Sequence, residues 1–229
     1  LDVEFVGHPL LDLAGLQQQE IAFPPMEEWK GDPLIALLPG SRTKEIKFLL
    51  PGMMRAVEGI RKIKPEARFI LALAPGLNIE EVKRFLKFST ATVTIVQGQT
   101  YRAIQASDLV LVASGTATLE TAILAKPMVI LYQVSSLSHW IGKALVKINW
   151  IGLVNIVAGK RVVPELLQDE AQGERIAAEA LKILEDEPYR QEILQGLAEV
   201  RAKLGTPGAA GRVAKMALDI MEKSNSLSA

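Results

Sequence analysis

The stretch Leu34-Ile35-Ala36-Leu37-Leu38, followed at once by Pro39-Gly40-Ser41-Arg42, decides the fold. Five consecutive apolar residues without alternation mark a strand buried on both faces, as in a parallel sheet. Such a strand needs a helical layer on either side. Residues 43–63 supply the first helix, with Ile46, Leu49, Leu50, Met53, Met54, Val57 and Ile60 at helical spacing. Working outward, the alternation repeats. Residues 67–73, 92–96, 109–113 and 128–132 read as short strands, and 79–88, 101–106 and 116–125 as the helices between them. Strands separated by helices predict an α/β, doubly wound parallel sheet.

After Tyr132 the strand pattern stops. Helices are expected over 137–148, 162–168, 171–185, 188–204 and 208–223, with 149–161 irregular. Residues 1–33 differ again, with a Gly-His-Pro turn, a polar QQQE run and the pair Pro24-Pro25. They predict a linker or crossover, not a packed unit. The expected division is therefore a linker over 1–33, a sheet domain over 34–170 and a helical C-terminal tail over 171–229. That tail is expected to pack on the sheet domain or on a domain preceding it.

Composition removes several function classes. Lys plus Arg and Asp plus Glu each number 26 in 229 residues, so the net charge is zero. A zero balance is a poor basis for binding a polyanion, and no nucleic-acid partner is expected. The chain has no cysteine and two histidines, His8 and His139. Disulfides, thiolate metal sites, a cysteine nucleophile and a histidine-rich metal cluster are excluded. The longest uncharged run, 127–142, contains Pro127 and Gly142 and is too short for a membrane span. A soluble, cytoplasmic protein is the expectation.

A doubly wound sheet binds its ligands beyond the carboxyl ends of the strands. Two loops there draw attention. In the first, Gly40 allows close backbone approach, Ser41 opens a helix whose N–H groups face outward, and Arg42 offers a fork suited to phosphate. The plain alternative is a tight turn with a surface arginine. In the second loop, Ser114-Gly115-Thr116 opens another helix, and Glu120, nearly two turns in, can accept hydrogen bonds from a ribose diol. The plain alternative is a helix cap followed by a solvated glutamate. Two such loops on one sheet favour a nucleotide. There is no G-x-G-x-x-G, no G-x-x-x-x-G-K-[ST], no G-x-S-x-G and no D-x-D, which counts against dinucleotide, P-loop, hydrolase-elbow and metal-clamped diphosphate sites. Residues 137–148 place Leu137, Trp140, Ile141, Ala144, Leu145 and Ile148 on one face and Lys143 and Lys147 on another. That pattern suits an anionic membrane surface or, more plainly, a core helix with two solvated lysines. His8 and His139 have no partner visible in sequence and read as structural.

The motifs VGHPLLD (6–12), LLPGSRTKEI (37–46), ASDLVLVASGTATLE (106–120) and ALVKINWIGLVNIVAGKRVVPELLQDE (144–170) together resemble the lipid-A-disaccharide synthase family. The resemblance runs in order along nearly the whole chain. It implies a GT-B glycosyltransferase, with this chain similar to the Rossmann-like half that holds the donor. The implied reaction moves 2,3-diacylglucosamine from UDP, whose sugar conjugate is a substrate, to 2,3-diacylglucosamine 1-phosphate, without a metal or cofactor, in lipid A biosynthesis. Gly40, Ser41, Arg42 and Glu45 fall on the family's first donor loop and Ser114, Gly115, Thr116 and Glu120 on its second. Asn155 and Gly159 match its Asn-x-x-x-Gly. The implied partners are UDP-diacylglucosamine, a lipid monosaccharide acceptor and, through Trp140, Lys143 and Lys147, the cytoplasmic face of the inner membrane. A homodimer is compatible with the sequence. Leu1 opens mid-strand, so the general base and most of the acceptor site are expected on a preceding N-terminal domain, and this chain alone is expected to bind UDP without transferring sugar. Two other readings share the same sheet and loops: a UDP-sugar 2-epimerase-like GT-B enzyme and a non-catalytic nucleotide-sugar-binding module.

Overall fold

The computed structural model describes residues 3–14, 29, 32–86, 91–134 and 150–227. The helix expected over 137–148, with His139, Trp140, Lys143 and Lys147, lies outside the described residues.

Strand β1 (Leu34–Leu38) is buried along its whole length. It pairs in parallel with β2 (Arg68–Leu73) on one side and β4 (Leu109–Ala113) on the other. The order β3-β2-β1-β4-β5-β6 is completed by β3 (Val93–Gln97), β5 (Met128–Tyr132) and β6 (Glu165–Leu167), all parallel. The chain winds outward from β1 to β3, returns past β1, then winds the other way. Right-handed crossovers put the helices of the two halves on opposite faces. Asp108 fixes the start of this return: its Oδ2 accepts the Leu34 N–H at 2.8 Å, and its own N–H donates to the Leu34 carbonyl.

Helix α1 (Thr43–Ile63) follows β1 and buries Ile46, Leu49, Leu50, Met53, Val57 and Ile60. Helices α2 (Ile79–Leu86), α3 (Thr100–Ala106) and α4 (Thr116–Ile123) connect the next strands. Beyond them come α5 (Leu153–Ala158), α6 (Gly173–Glu185), α7 (Glu187–Lys203) and α8 (Ala209–Leu227). Helix α6 packs along α1, while α4, α5 and α7 pack together. The tail expected over 171–229 thus begins as two helices that cover the sheet domain itself. Small residues set the α1–α6 approach. A side chain on Gly173 would collide with Arg55 Cβ, and one on Gly52 would come within 2.8 Å of the Ala171 carbonyl oxygen.

Three expectations are corrected. Residues 162–168 do not form a helix: Pro164 precedes a three-residue strand that pairs with β5 and adds a sixth strand to the sheet. Residues 149–161 are not wholly irregular, because α5 is framed by Gly152 and Gly159 at its two ends. The first residues are not a loose linker. Leu10, Leu11, Ala14 and Trp29 join the buried core, and His8 donates its N–H to the Leu204 carbonyl at 2.9 Å. Asp12 accepts the N–H groups of Gly208 and Ala209, capping α8 from far along the chain. Arg212 in turn donates to the carbonyls of Val6, Thr206 and Pro207.

Candidate functional site

The reversal of winding between β1 and β4 leaves a crevice at their carboxyl ends, where loops diverge to opposite faces of the sheet. A cleft of about 350 Å³ lies there. Its walls are the loop after β1 (Gly40, Ser41, Arg42, Glu45), the loop after β4 (Ser114, Gly115, Thr116, Ala117) and Glu120, with Ala72 and Ala74 at the end of β2 and Thr100 before α3. Two segments separated by about 70 residues in sequence are thus brought to face each other. Of the nine donor residues expected from sequence, eight line this cleft.

The first loop is more crowded than its sequence suggests. Gly40 has φ +110°, and a side chain there would fall on the Glu45 carboxylate. Glu45 folds back over the glycine. Its Oε2 accepts the N–H of Ser41 at 2.9 Å and of Arg42 at 3.2 Å, and its Oε1 accepts from Arg42 Nη1 at 2.9 Å. A carboxylate at the third position of a helix reaching back to the opening N–H groups is one half of a capping box. Here it occupies donors that could serve a phosphate. The Arg42 side chain remains 81% exposed, so its pairing with Glu45 is a weak surface contact that a stronger anion can replace.

The second loop is open. Gly115 has φ +155° and no atom within 4 Å of a notional side chain. Thr118 bonds back to the Gly115 carbonyl through both N–H and Oγ1, tightening the first turn of α4. The N–H groups of Thr116 and Ala117 meet no acceptor among the described residues. They carry the positive end of the α4 dipole toward the cleft. Ser114 donates its hydroxyl to the Ile151 carbonyl at 3.1 Å, fastening this loop to the segment before α5.

Glu120 lies one turn deeper. Burial raises its carboxyl above the ordinary glutamate range, and a hydrogen bond from the Tyr101 hydroxyl draws it partly back. That bond spans 3.2 Å to Oε1. Burial and the neighbouring carboxylate push the Tyr101 phenol well up, which keeps it protonated as a donor. Tyr101 lies outside the residues that the sequence motifs point to. Its only sequence signal is an aromatic at the opening of a short helix, next to a threonine that lines the cleft.

Asn155 requires correction. It is fully buried and does not line the cleft. Its Nδ2 donates to the Val163 carbonyl at 2.9 Å and to Glu165 Oε1 at 2.8 Å, and its Oδ1 accepts the N–H groups of Val162 and Val163. The amide is saturated, so nothing remains for a ligand. Glu165 also accepts the N–H groups of Ile151 and Gly152. Asn155 therefore braces the turn that leads into β6, and Gly159 ends α5 with φ +73°. Among the described residues no group of His, Asp or Glu side chains is arranged to hold a metal, and no helix is long and apolar enough to cross a membrane.

A family profile described as Lipid-A-disaccharide synthetase matches residues 1–214. The lipid-A-disaccharide synthase of Syntrophus aciditrophicus is 44% identical over 227 residues, covering 98% of this chain and 59% of its own length. That of Geobacter sulfurreducens is 41% identical over 222 residues, covering 96% and 58%. The chain thus spans under three fifths of the length of these relatives. Among solved structures, a putative UDP-N-acetylglucosamine 2-epimerase from Listeria monocytogenes superposes with a TM-score of 0.66 at 15% identity, over 91% of this chain and 50% of that one. UDP-GlcNAc 2-epimerase from Neisseria meningitidis bound to UDP-GlcNAc gives 0.64 at 14%, over 93% and 54%. The spinosyn rhamnosyltransferase SpnG gives 0.57 at 15%, over 85% and 48%. Likeness at these identities shows the fold: a Rossmann-like half of the GT-B architecture.

Proposed function

Because this chain belongs to the lipid-A-disaccharide synthetase family, we propose that its cleft holds the UDP moiety of UDP-2,3-diacylglucosamine during hexosyl transfer to 2,3-diacylglucosamine 1-phosphate. The observation that carries this reading is the convergence of the two small-residue loops at the switch point of the sheet. The diphosphate rests against the Thr116 and Ala117 N–H groups at the start of α4. Arg42 turns from Glu45 to the same phosphates, and Glu120 accepts from the ribose hydroxyls. As the sugar–phosphate bond breaks, negative charge grows on the departing UDP. Preorganised N–H groups and a guanidinium stabilise that charge most where it develops.

The acceptor hydroxyl must lose a proton to a general base. Within the cleft, Glu45 is engaged by Ser41 and Arg42, and Glu120 by Tyr101. We therefore assign the base and most of the acceptor site to the length of the relatives that this chain does not span. No metal or cofactor takes part in this scheme. Membrane contact through Trp140, Lys143 and Lys147 belongs to the same proposal. Sedimentation with anionic vesicles tests it: the Lys143→Glu, Lys147→Glu double variant is expected to lose partitioning, and equal partitioning would remove the membrane role.

Calorimetric titration with UDP tests the donor site. Arg42→Ala is expected to weaken binding by about 1.5–3 kcal/mol, the worth of a charge-assisted hydrogen bond. Unchanged affinity in a folded variant would remove Arg42 from the site. Product analysis with labelled UDP-diacylglucosamine, with and without acceptor, separates the alternatives. A 2-epimerase alters the sugar without acceptor, a binding module alters nothing, and disaccharide formed by this chain alone would overturn the division of labour.

A further inference from the structure

The Tyr101–Glu120 hydrogen bond joins two helices that belong to different crossovers of the sheet. Tyr101 belongs to the crossover from β3 to β4, whereas Glu120 belongs to the helix after β4. The hydroxyl reaches Oε1 at 3.2 Å. Glu120 Oε2 meets no donor among the described residues, although the side chain borders the cleft. Thr100, the neighbour of Tyr101, borders it too. A glutamate has three rotatable bonds, and a carboxylate free to swing loses entropy whenever a ligand fixes it. A single bond to one oxygen selects one orientation beforehand and leaves the other oxygen for a ligand.

We propose that Tyr101 is a positioning residue that holds Glu120 for a ribose diol, and so makes the cleft select ribonucleotides over nucleotides lacking those hydroxyls. This rests on the UDP reading of the cleft. Tyr101 touches no ligand in this scheme and acts only through Glu120. Its effect should therefore vanish when either the carboxylate or the diol is removed.

The test is a set of UDP and 2′,3′-dideoxy-UDP titrations on wild type, Tyr101→Phe, Glu120→Ala and the double variant, with thermal unfolding to confirm folding. Tyr101→Phe is expected to weaken UDP by about tenfold, the scale of one lost hydrogen bond, and to leave the dideoxy nucleotide unchanged. In the Glu120→Ala background the same change is expected to have no further effect. Equal losses for both nucleotides, or an undiminished effect of Tyr101→Phe without Glu120, would overturn the positioning role while leaving the donor site intact. A wild type that binds both nucleotides equally would remove the ribose role of Glu120 and that of Tyr101 with it. A wild type that binds neither would overturn the UDP reading itself. Should Tyr101→Phe fail to fold, Tyr101→His, which keeps a ring donor, replaces it and is expected to retain part of the discrimination. Equal losses of UDP and of the dideoxy nucleotide in that variant would likewise count against positioning.

Discussion

Glu45 Oε2 lies 2.9 Å from the backbone nitrogen of Ser41. The first turn of α1 therefore already holds an anion, and that anion belongs to the protein. A diphosphate approaching this loop competes with a carboxylate for the same donors and feels its charge. Glu45→Gln keeps an acceptor for the Ser41 N–H but removes the charge. UDP affinity is expected to rise about two- to fivefold, the scale of a partly exposed charge interaction. A fall in affinity by calorimetry would show Glu45 to be a direct donor ligand instead.

Glu120 stores a different tension. Burial raises its carboxyl above the ordinary value of 4.5, so the folded state holds the proton more tightly than the unfolded chain. Stability from such a group is present below the unfolded value and is lost as pH rises through the folded one. Glu120→Gln has no charge to desolvate. Its melting temperature relative to wild type is expected to be higher at pH 7.5 than at pH 4. An offset independent of pH would mean that the carboxylate is not penalised by its surroundings.

Asn155 should behave as a structural residue. Asn155→Ala strands the N–H groups of Val162 and Val163 and takes one of its donors from Glu165 Oε1, and is expected to cost about 2–3 kcal/mol in chemical denaturation. UDP affinity of the folded variant should stay within twofold of wild type, the precision that separates a brace from a ligand. A selective loss of UDP binding without loss of stability would reinstate it as a site residue.

Gly173 tests the α1–α6 contact. Gly173→Ala places a methyl group against Arg55 Cβ and the backbone of Ala56. Overpacking of a helix contact is expected to cost about 1–3 kcal/mol, read by denaturant midpoint. A gain in stability, as helix propensity alone would give, would show that the helices separate readily.

Much of the sheet is legible in the sequence because β1, β2, β4 and β5 are buried on both faces and contain few polar residues. The sixth strand is not. Glu165 interrupts its apolar pattern for a reason visible only in three dimensions, since its carboxylate bonds Ile151, Gly152 and Asn155. The two cleft loops are legible because glycine, hydroxyl and arginine residues cluster after strands. The engagement of Glu45 with its own loop is not, because a family motif shows which residue stands at a position but not which atoms it already holds. Tyr101 and the burial of Leu10, Leu11 and Trp29 depend on long-range contacts that no local pattern carries.

The clasp between Asp12, Arg212 and their partners also sets an order of events. Arg212 and the Val6 carbonyl are 206 positions apart. Closing so long a loop is entropically costly until the strands between have assembled and brought the two segments together. The clasp is therefore a late arrival in folding. It is also the natural first point of release, because its bonds lie at or near the surface and both segments leave together. In native-state hydrogen exchange the amides of His8 and Ala209, near opposite ends of the chain, should lose protection as one unit, well before those of β1. Two distant stretches of sequence thus behave as a single cooperative element, opening and closing over a sheet that stays folded beneath them.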